Sequence, residues 1–339
     1  MTNPVLVEVT RGALVESAHR GAIAIVDASG NVRSALGDIE RPIFPRSAVK
    51  ALQALPLVES GAAEALDFEP EELALACASH NGEDIHVNTA RVMLIKAGLD
   101  EDALECGAQW PALDADRSAL ICNGESPCAL HNNCSGKHAG FLGLARVMGV
   151  PTKGYVEPDH PVQQEIRAVM EAMTGASLVA DKCGIDGCSI PTWATPLSGL
   201  ARAFACFGTG EGLEPARADA AATLYDACCG HPHMVAGTDR FCTDVMKAFS
   251  KRIYVKTGAE GVFCAAIPEV GLGVALKCDD GTTRASEAMM AGVISALMEV
   301  DEDEADVLAR FDHAPIKTRR GVTAGEVRTV AEFGTSLQK

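Results

Sequence analysis

Short β-branched and aliphatic runs open the chain at residues 6–9, 22–26 and 32–36. Asp27-Ala28-Ser29-Gly30-Asn31 separates the last two and is rich in turn formers, so the first forty residues predict an antiparallel meander. The same pattern returns at 252–256, 261–267 and 271–278, punctuated by Gly258, Pro268 and Asp280-Gly281. Between these blocks apolar positions recur at helical spacing over 48–59, 85–97, 138–148, 161–173, 197–205, 215–228 and 239–249, with 285–298 after the last strand. No internal repeat, low-complexity tract or linker interrupts them. The pattern predicts an α/β architecture with one antiparallel sheet built from both chain ends, about 1–40 and 250–300. A mainly helical region, about 41–249, lies between them in sequence, and the whole reads as a single unit. Beyond about residue 299 the chain is acidic and then basic at Lys317, Arg319 and Arg320, which reads as solvated faces and a mobile tail.

Charge and composition narrow the partners. A net charge of −17 repels a phosphate backbone, and an aromatic content of 4% leaves few platforms for stacking bases, so nucleic acid is not expected. No run approaches the about 18 apolar residues of a membrane span. The first twenty residues carry Glu8, Arg11 and Glu16 and no apolar core, unlike a signal peptide. The 13 cysteines are odd in number and spread over a long chain, which points to reduced thiols in a cytoplasm rather than to a disulfide framework. A small molecule is the expected partner.

Three clusters carry chemistry. In Pro45-Arg46-Ser47-Ala48-Val49-Lys50 the proline favours a helix start, placing Ser47 beside free backbone N–H groups and Lys50 one turn later on the same face. A serine there has an oxyanion site beside it, and a neutral lysine could take its proton. The apolar run 74–78 leads into Ser79-His80-Asn81-Gly82-Glu83, and Lys256-Thr257-Gly258 ends a predicted strand. Ser-x-x-Lys, Ser-x-Asn and Lys-Thr-Gly in that order form the active-site set of serine β-lactamases and penicillin-binding proteins, although Ser79 follows Lys50 too closely for the lactamases. The blander alternatives are a helix cap for Ser79 and an edge-strand gatekeeper for Lys256. The third cluster, His131-Asn132-Asn133-Cys134-Ser135-Gly136-Lys137-His138, departs from a phosphate-binding loop at both ends. Cys183-Gly184-Ile185-Asp186-Gly187-Cys188 is a second tight loop with thiols and a carboxylate. Cys-x-x-Cys does not occur, so a four-cysteine zinc site is not indicated. His231-Pro232-His233 reads as loop histidines, with a metal pair as the alternative.

As a set, the motifs Arg46-Ser47-Ala48-Val49-Lys50, Cys77 to Glu83, Asn133 to His138, Asp186-Gly187-Cys188 and Lys256-Thr257-Gly258 resemble the class 3, or rhizobial-type, L-asparaginases, the asparaginase II family. The likeness runs from the first strand to about Glu287. It implies a fold shared with serine β-lactamases and glutaminases, a homodimer, and hydrolysis of L-asparagine to L-aspartate and ammonia. It further implies two serine–lysine pairs, with Ser47 and Lys50 as the nucleophilic pair and Ser79 with Lys256 relaying protons. A zinc site of Cys134, Lys137 and Cys188 would lie beside them, with His138 and Asp186 helping to hold the substrate or the metal's water.

Chemistry adds detail to that expectation. Asp186 and Glu83 are candidates for the substrate's α-amino group, Arg46 for its α-carboxylate, and Asn81 for the same substrate site. Lysine serves as a base only when its pKa falls from about 10.4 toward neutrality, and Lys50, Lys137 and Lys256 converging on one pocket would lower one another. A lysine ligand must lose its proton before it binds zinc, so binding there should depend steeply on pH. Glutaminase activity, one methylene away, and a β-lactamase-like serine acyltransferase are the alternatives.

Overall fold

The computed structural model describes residues 2–337 and divides into two compact units. The sheet unit comprises Met1–Ala48, Thr195–Gly212 and Asp244–Lys339; the helical unit comprises Val49–Ala194 and Leu213–Thr243.

The sheet unit is built on eight antiparallel strands: β1 (Val5–Arg11), β2 (Leu14–Asp27), β3 (Val32–Leu36), β4 (Tyr254–Gly258), β5 (Val262–Ile267), β6 (Leu272–Cys278), β7 (Ala314–Lys317) and β8 (Thr323–Thr329). Their order is β4-β5-β6-β2-β1-β8-β7, with β3 also paired to β2. The first half of β2 pairs with β1, and the second half pairs with both β3 and β6. Residues 21–26 of β2 and all of β5 are buried without alternation, which requires cover on both faces. Helix Leu197–Thr209 packs on β2, β5 and β6, and helix Thr283–Leu297 on β1, β5, β6 and β8. Side chains such as Ile23, Ile25 and Phe263 have no exposed surface, each worth about 1.5–3 kcal/mol of burial. The expected sheet from both chain ends is therefore observed, with flanking helices.

The tail departs from expectation. Glu302–Ala309 is a helix whose start is fixed by an Asp301–Glu304 capping box, β8 pairs with β1 through Val7↔Thr329, and Val327, Phe333 and Leu337 are buried. β8 is only half-buried and carries Glu326 and Arg328, so its composition looks like solvated chain. A ladder to a strand more than three hundred residues away in sequence holds it, and no local pattern reports that.

In the helical unit two helices are buried nearly all round along most of their length, polar residues included. Lys50–Glu59 is buried from Lys50 through Leu57, and Ser135–Met148 from Ser135 through Ala145. The first packs on the second and on Pro161–Thr174 and Pro215–Gly230. The run 74–78 begins inside a helix, Pro70–Ala76, started by a Glu69–Glu72 capping box. Cys183–Ile185 and Pro191–Trp193 form a two-stranded ribbon that carries the Asp186-Gly187-Cys188 loop. None of the thirteen cysteines is in a disulfide. Among the described residues no helix is long and apolar enough to cross a membrane.

Candidate active site

Ser47 lies in a 3-10 turn, Arg46–Val49, that leads into the α-helix starting at Lys50, so the regular helix begins later than the spacing predicts. Within the sheet unit, Ala48 N–H donates to the Pro45 carbonyl at 3.1 Å. Arg46 sits at φ 51°, in the left-handed region that a side chain with a Cβ enters at a cost of about 1–3 kcal/mol. β4 runs against this turn. A Cβ on Gly258 would lie 2.7 Å from the Pro45 carbonyl oxygen and 3.0 Å from the Ala48 nitrogen, so glycine is what lets Lys256-Thr257-Gly258 approach the segment bearing Ser47. Lys256 is 1% exposed and its Nζ donates to the Thr257 carbonyl at 2.9 Å. β4 is an edge strand, but an edge-guarding lysine works by being solvated, and this one is buried.

The helical unit gathers Lys50, Cys134, Lys137 and Cys188 into one buried cluster. Lys50 Nζ donates to the Ala78 carbonyl and lies 3.0 Å from Cys134 Sγ, with the Asn133 carbonyl at 3.4 Å. Lys137 Nζ lies 3.0 Å from Cys188 Sγ. The two thiols share a hydrogen bond that lowers Cys134 and raises Cys188. Burial opposes the Cys134 anion, while the Lys50 and Lys137 ammonium groups add to its stabilisation. Cys188 is raised first by that hydrogen bond and then by burial. Cys134 is therefore the more acidic of the two thiols.

For Lys137 the direction is the reverse of the expected lowering. Burial works against the Lys137 charge, but Cys134, Cys188 and Asp186 outweigh it and hold the ammonium up at about 12. Like-charge repulsion loses there to the sulfurs and the Asp186 carboxylate around Lys137.

Two soft sulfurs and an amine suit zinc. His138, next to Lys137 in sequence, is fully buried, its Nδ1 meets the Tyr155 hydroxyl at 2.7 Å, and its Nε2 has no hydrogen-bond partner. Burial, then the Lys137 and Lys50 charges, keep this ring neutral by pushing its pKa well down. Asp186 stands in the ribbon's loop, where its backbone N–H donates to the Ile190 carbonyl at 2.9 Å and its Oδ1 accepts from Gly187 N–H at 2.7 Å.

Ser79, Asn81 and Glu83 follow the Lys50-bound Ala78. The Ser79 N–H donates to the Val235 carbonyl at 2.9 Å, and Glu83 rather than Ser79 occupies the N-cap of helix Asp84–Lys96. The Asn81 side chain donates to the Thr238 carbonyl at 2.9 Å and accepts from Arg240 at 2.9 Å. Glu83 accepts from the Thr238 N–H and hydroxyl, both at 2.8 Å. Burial opposes its charge, yet these bonds and the neighbouring His86 and His233 hold its pKa below the ordinary carboxylate value.

Sequence reasoning missed Tyr155, Thr238, Arg240 and His86, and it paired Lys50 with Ser47 without seeing its contact to Cys134. No motif spacing links these positions; tertiary contacts do, from His138 to Tyr155 and from Asn81 and Glu83 to Thr238 and Arg240.

With that geometry established, the comparisons are informative. The profile described as L-asparaginase II matches residues 7–329. No curated protein matches by sequence. Among solved structures, the chain is similar to a mutant of the simvastatin synthase LovD from Aspergillus terreus, with 12% identity, a TM-score of 0.40 and coverage of 86% of this chain and 90% of that one. A β-lactamase from Mycobacterium bovis gives 13% identity and a TM-score of 0.40, over 77% and 88%. Mglu in its tris and glutamate form gives 15% identity and a TM-score of 0.37, over 88% and 65%.

Proposed function

The chain belongs to the L-asparaginase II family and is an amidohydrolase, and on that premise we propose that it hydrolyses L-asparagine to L-aspartate and ammonia. Ser47 is the nucleophile and Lys50, one turn later in sequence, its base. Ser47 Oγ attacks the side-chain amide carbon as its proton passes to neutral Lys50, and backbone N–H groups at the turn receive the oxyanion. The proton leaves with the departing amide nitrogen as ammonia. Water then attacks the ester, giving one proton back to Lys50, and aspartate departs as Ser47 recovers its hydroxyl. Lys50 Nζ, buried and 3.0 Å from Cys134 Sγ, supports this reading because it sets the lysine within the cluster that would hold zinc.

The remaining roles follow the family pattern. Ser79 and Lys256 relay protons. Asp186 takes the substrate's α-ammonium, since both Glu83 oxygens are already engaged by Thr238 and Asn81. Arg46 takes the α-carboxylate, and Asn81 and His138 shape the substrate site. Cys134, Lys137 and Cys188 would hold zinc, which when bound supplies positive charge and keeps both sulfurs deprotonated. We place the enzyme in the cytoplasm as a homodimer.

The observation that carries this reading is the family match over residues 7–329. Ammonia release from L-asparagine and L-glutamine, measured side by side, tests it. Release well above background with asparagine and far less with glutamine is expected. No release from either, with zinc supplied and the pH raised, would reject it.

A further inference from the structure

We propose that Glu83, His86 and His233 form a second cation site, free of sulfur, that binds a divalent metal of the zinc class. One ligand atom from each of the three lies within 4.8 Å of the others. Glu83 Oε2 and His233 Nε2 are 3.3 Å apart. Donors about 2.0–2.1 Å from a tetrahedral zinc sit about 3.3–3.4 Å from one another, so this edge already has the required length.

His86 supplies the observation that points to a ligand. It has no exposed surface, its Nε2 donates to the His233 carbonyl at 2.9 Å, and its Nδ1 is buried with no partner at all. A ring nitrogen fixed by a backbone carbonyl leaves the other with a directed lone pair, which is how metal-binding histidines are held. The ring also stacks on His80 with centroids 4.8 Å apart and on His233 at 5.3 Å, an arrangement suited to neutral imidazoles. Burial pushes the His86 pKa down, which agrees.

Glu83 is braced in the manner of a ligating carboxylate. Thr238 supplies two hydrogen bonds and Asn81 a third at 3.2 Å. The chain must also leave room for it: Gly237 has φ 102°, and a Cβ there would fall 2.4 Å from Glu83 Oε1. Neighbouring histidines are committed elsewhere. His80 meets the Ser135 hydroxyl at 2.9 Å through Nε2 and accepts from Gly82 N–H at 3.0 Å through Nδ1, while His231 faces Glu71 at 3.5 Å. The other His-containing cluster, His19 with Cys278 and Asp280 in the sheet unit, is closed. There His19 Nδ1 meets Asp280 at 2.6 Å and its Nε2 meets Arg284 at 3.2 Å.

Cobalt(II) tests the site, because thiolate ligation gives a strong charge-transfer band that nitrogen and oxygen ligands do not. The metal-stripped Cys134→Ser/Cys188→Ser chain should retain one cobalt with weak visible bands alone. Adding His233→Gln should weaken that binding by more than about a hundredfold, beyond the effect of an outer-shell change. Failure of the double-serine chain to hold cobalt, or equal binding with His233→Gln added, would overturn the proposal. If circular dichroism shows that the double-serine chain does not fold, full-length protein and its His233→Gln variant are compared instead. Loss of one cobalt with any thiolate band intact would support the site, and unchanged cobalt uptake would overturn it.

Discussion

Cys134 in the helical unit and Cys278 in the sheet unit are both buried, and each has ionisable groups in contact. They end in opposite states. The hydrogen bond from Cys188 and the Lys50 and Lys137 ammonium groups carry the Cys134 thiol well below its ordinary range. Burial and the Asp280 carboxylate, 3.0 Å from its sulfur, push Cys278 up to about 12. Burial raises a thiol's pKa in both places, so the hydrogen bond from Cys188, with the lysine charges behind it, and the Asp280 carboxylate set the opposite directions. One sulfur lies against Lys50, and the other donates to a loop carboxylate.

The harshest way to break this contrast is to remove the lysine. Lys50→Met should cut kcat/KM for L-asparagine by about 10³-fold or more, the scale of a lost general base, and Ser47→Ala should do at least as much. Steady-state ammonia assays on variants checked by circular dichroism would measure it. Next comes zinc affinity. Binding at Cys134, Lys137 and Cys188 must expel a proton from Lys137, held at about 12, and another from the raised Cys188. Affinity should therefore climb with pH by up to about a hundredfold per unit near neutrality, readable by competition with a chelator at several pH values.

A spectroscopic difference sharpens the comparison further. Near neutral pH, thiolate absorbance should fall in Cys134→Ser and stay unchanged in Cys278→Ser; equal loss in both would erase the distinction drawn above. The smallest effect is at Asp280. Burial opposes its charge, but hydrogen bonds from Cys278 and His19 hold its pKa at about 2, against an ordinary 3.8. A depressed carboxylate stabilises the fold fully above its unfolded pKa and loses that share as pH falls from about 4 toward 2. The side chain is 50% exposed, so screening limits the gain to about 0.5–1 kcal/mol. Asp280→Asn should flatten that part of the acid limb in a denaturant titration.

How much was legible beforehand follows the same division between local and distant causes. The strand at 32–36 and helix 161–173 were readable because turn residues, proline and apolar spacing agree within a few positions of each other. β2 was read as five residues and has fourteen, since residues 14–20 are largely exposed and gain their order from β1. The candidate site residues are legible as motifs, and the family resemblance already groups Lys137 with Cys134 and Cys188. The electrostatics are not legible, because no motif reports that Lys137 Nζ lies 3.0 Å from Cys188 Sγ. His86 carried no signal at all: a histidine at the start of an amphipathic helix is unremarkable until its Nδ1 is seen to be buried without a partner.

The pairing of β1 with β8 bears on how the chain is born. Val7 meets Thr329, so during synthesis the first strand must wait for more than three hundred further residues before its ladder to β8 can close. β2 has local partners in β1 and β3 early on, yet its buried second half also needs β6. Sheets assembled from such distant segments fold slowly and leave apolar edges open meanwhile. The helical unit, whose segments lie within 49–194 and 213–243, has no such wait. Nascent chains halted before β8 should therefore hold a protease-resistant helical unit beside a sheet still vulnerable to cleavage, and should depend on chaperones for that interval.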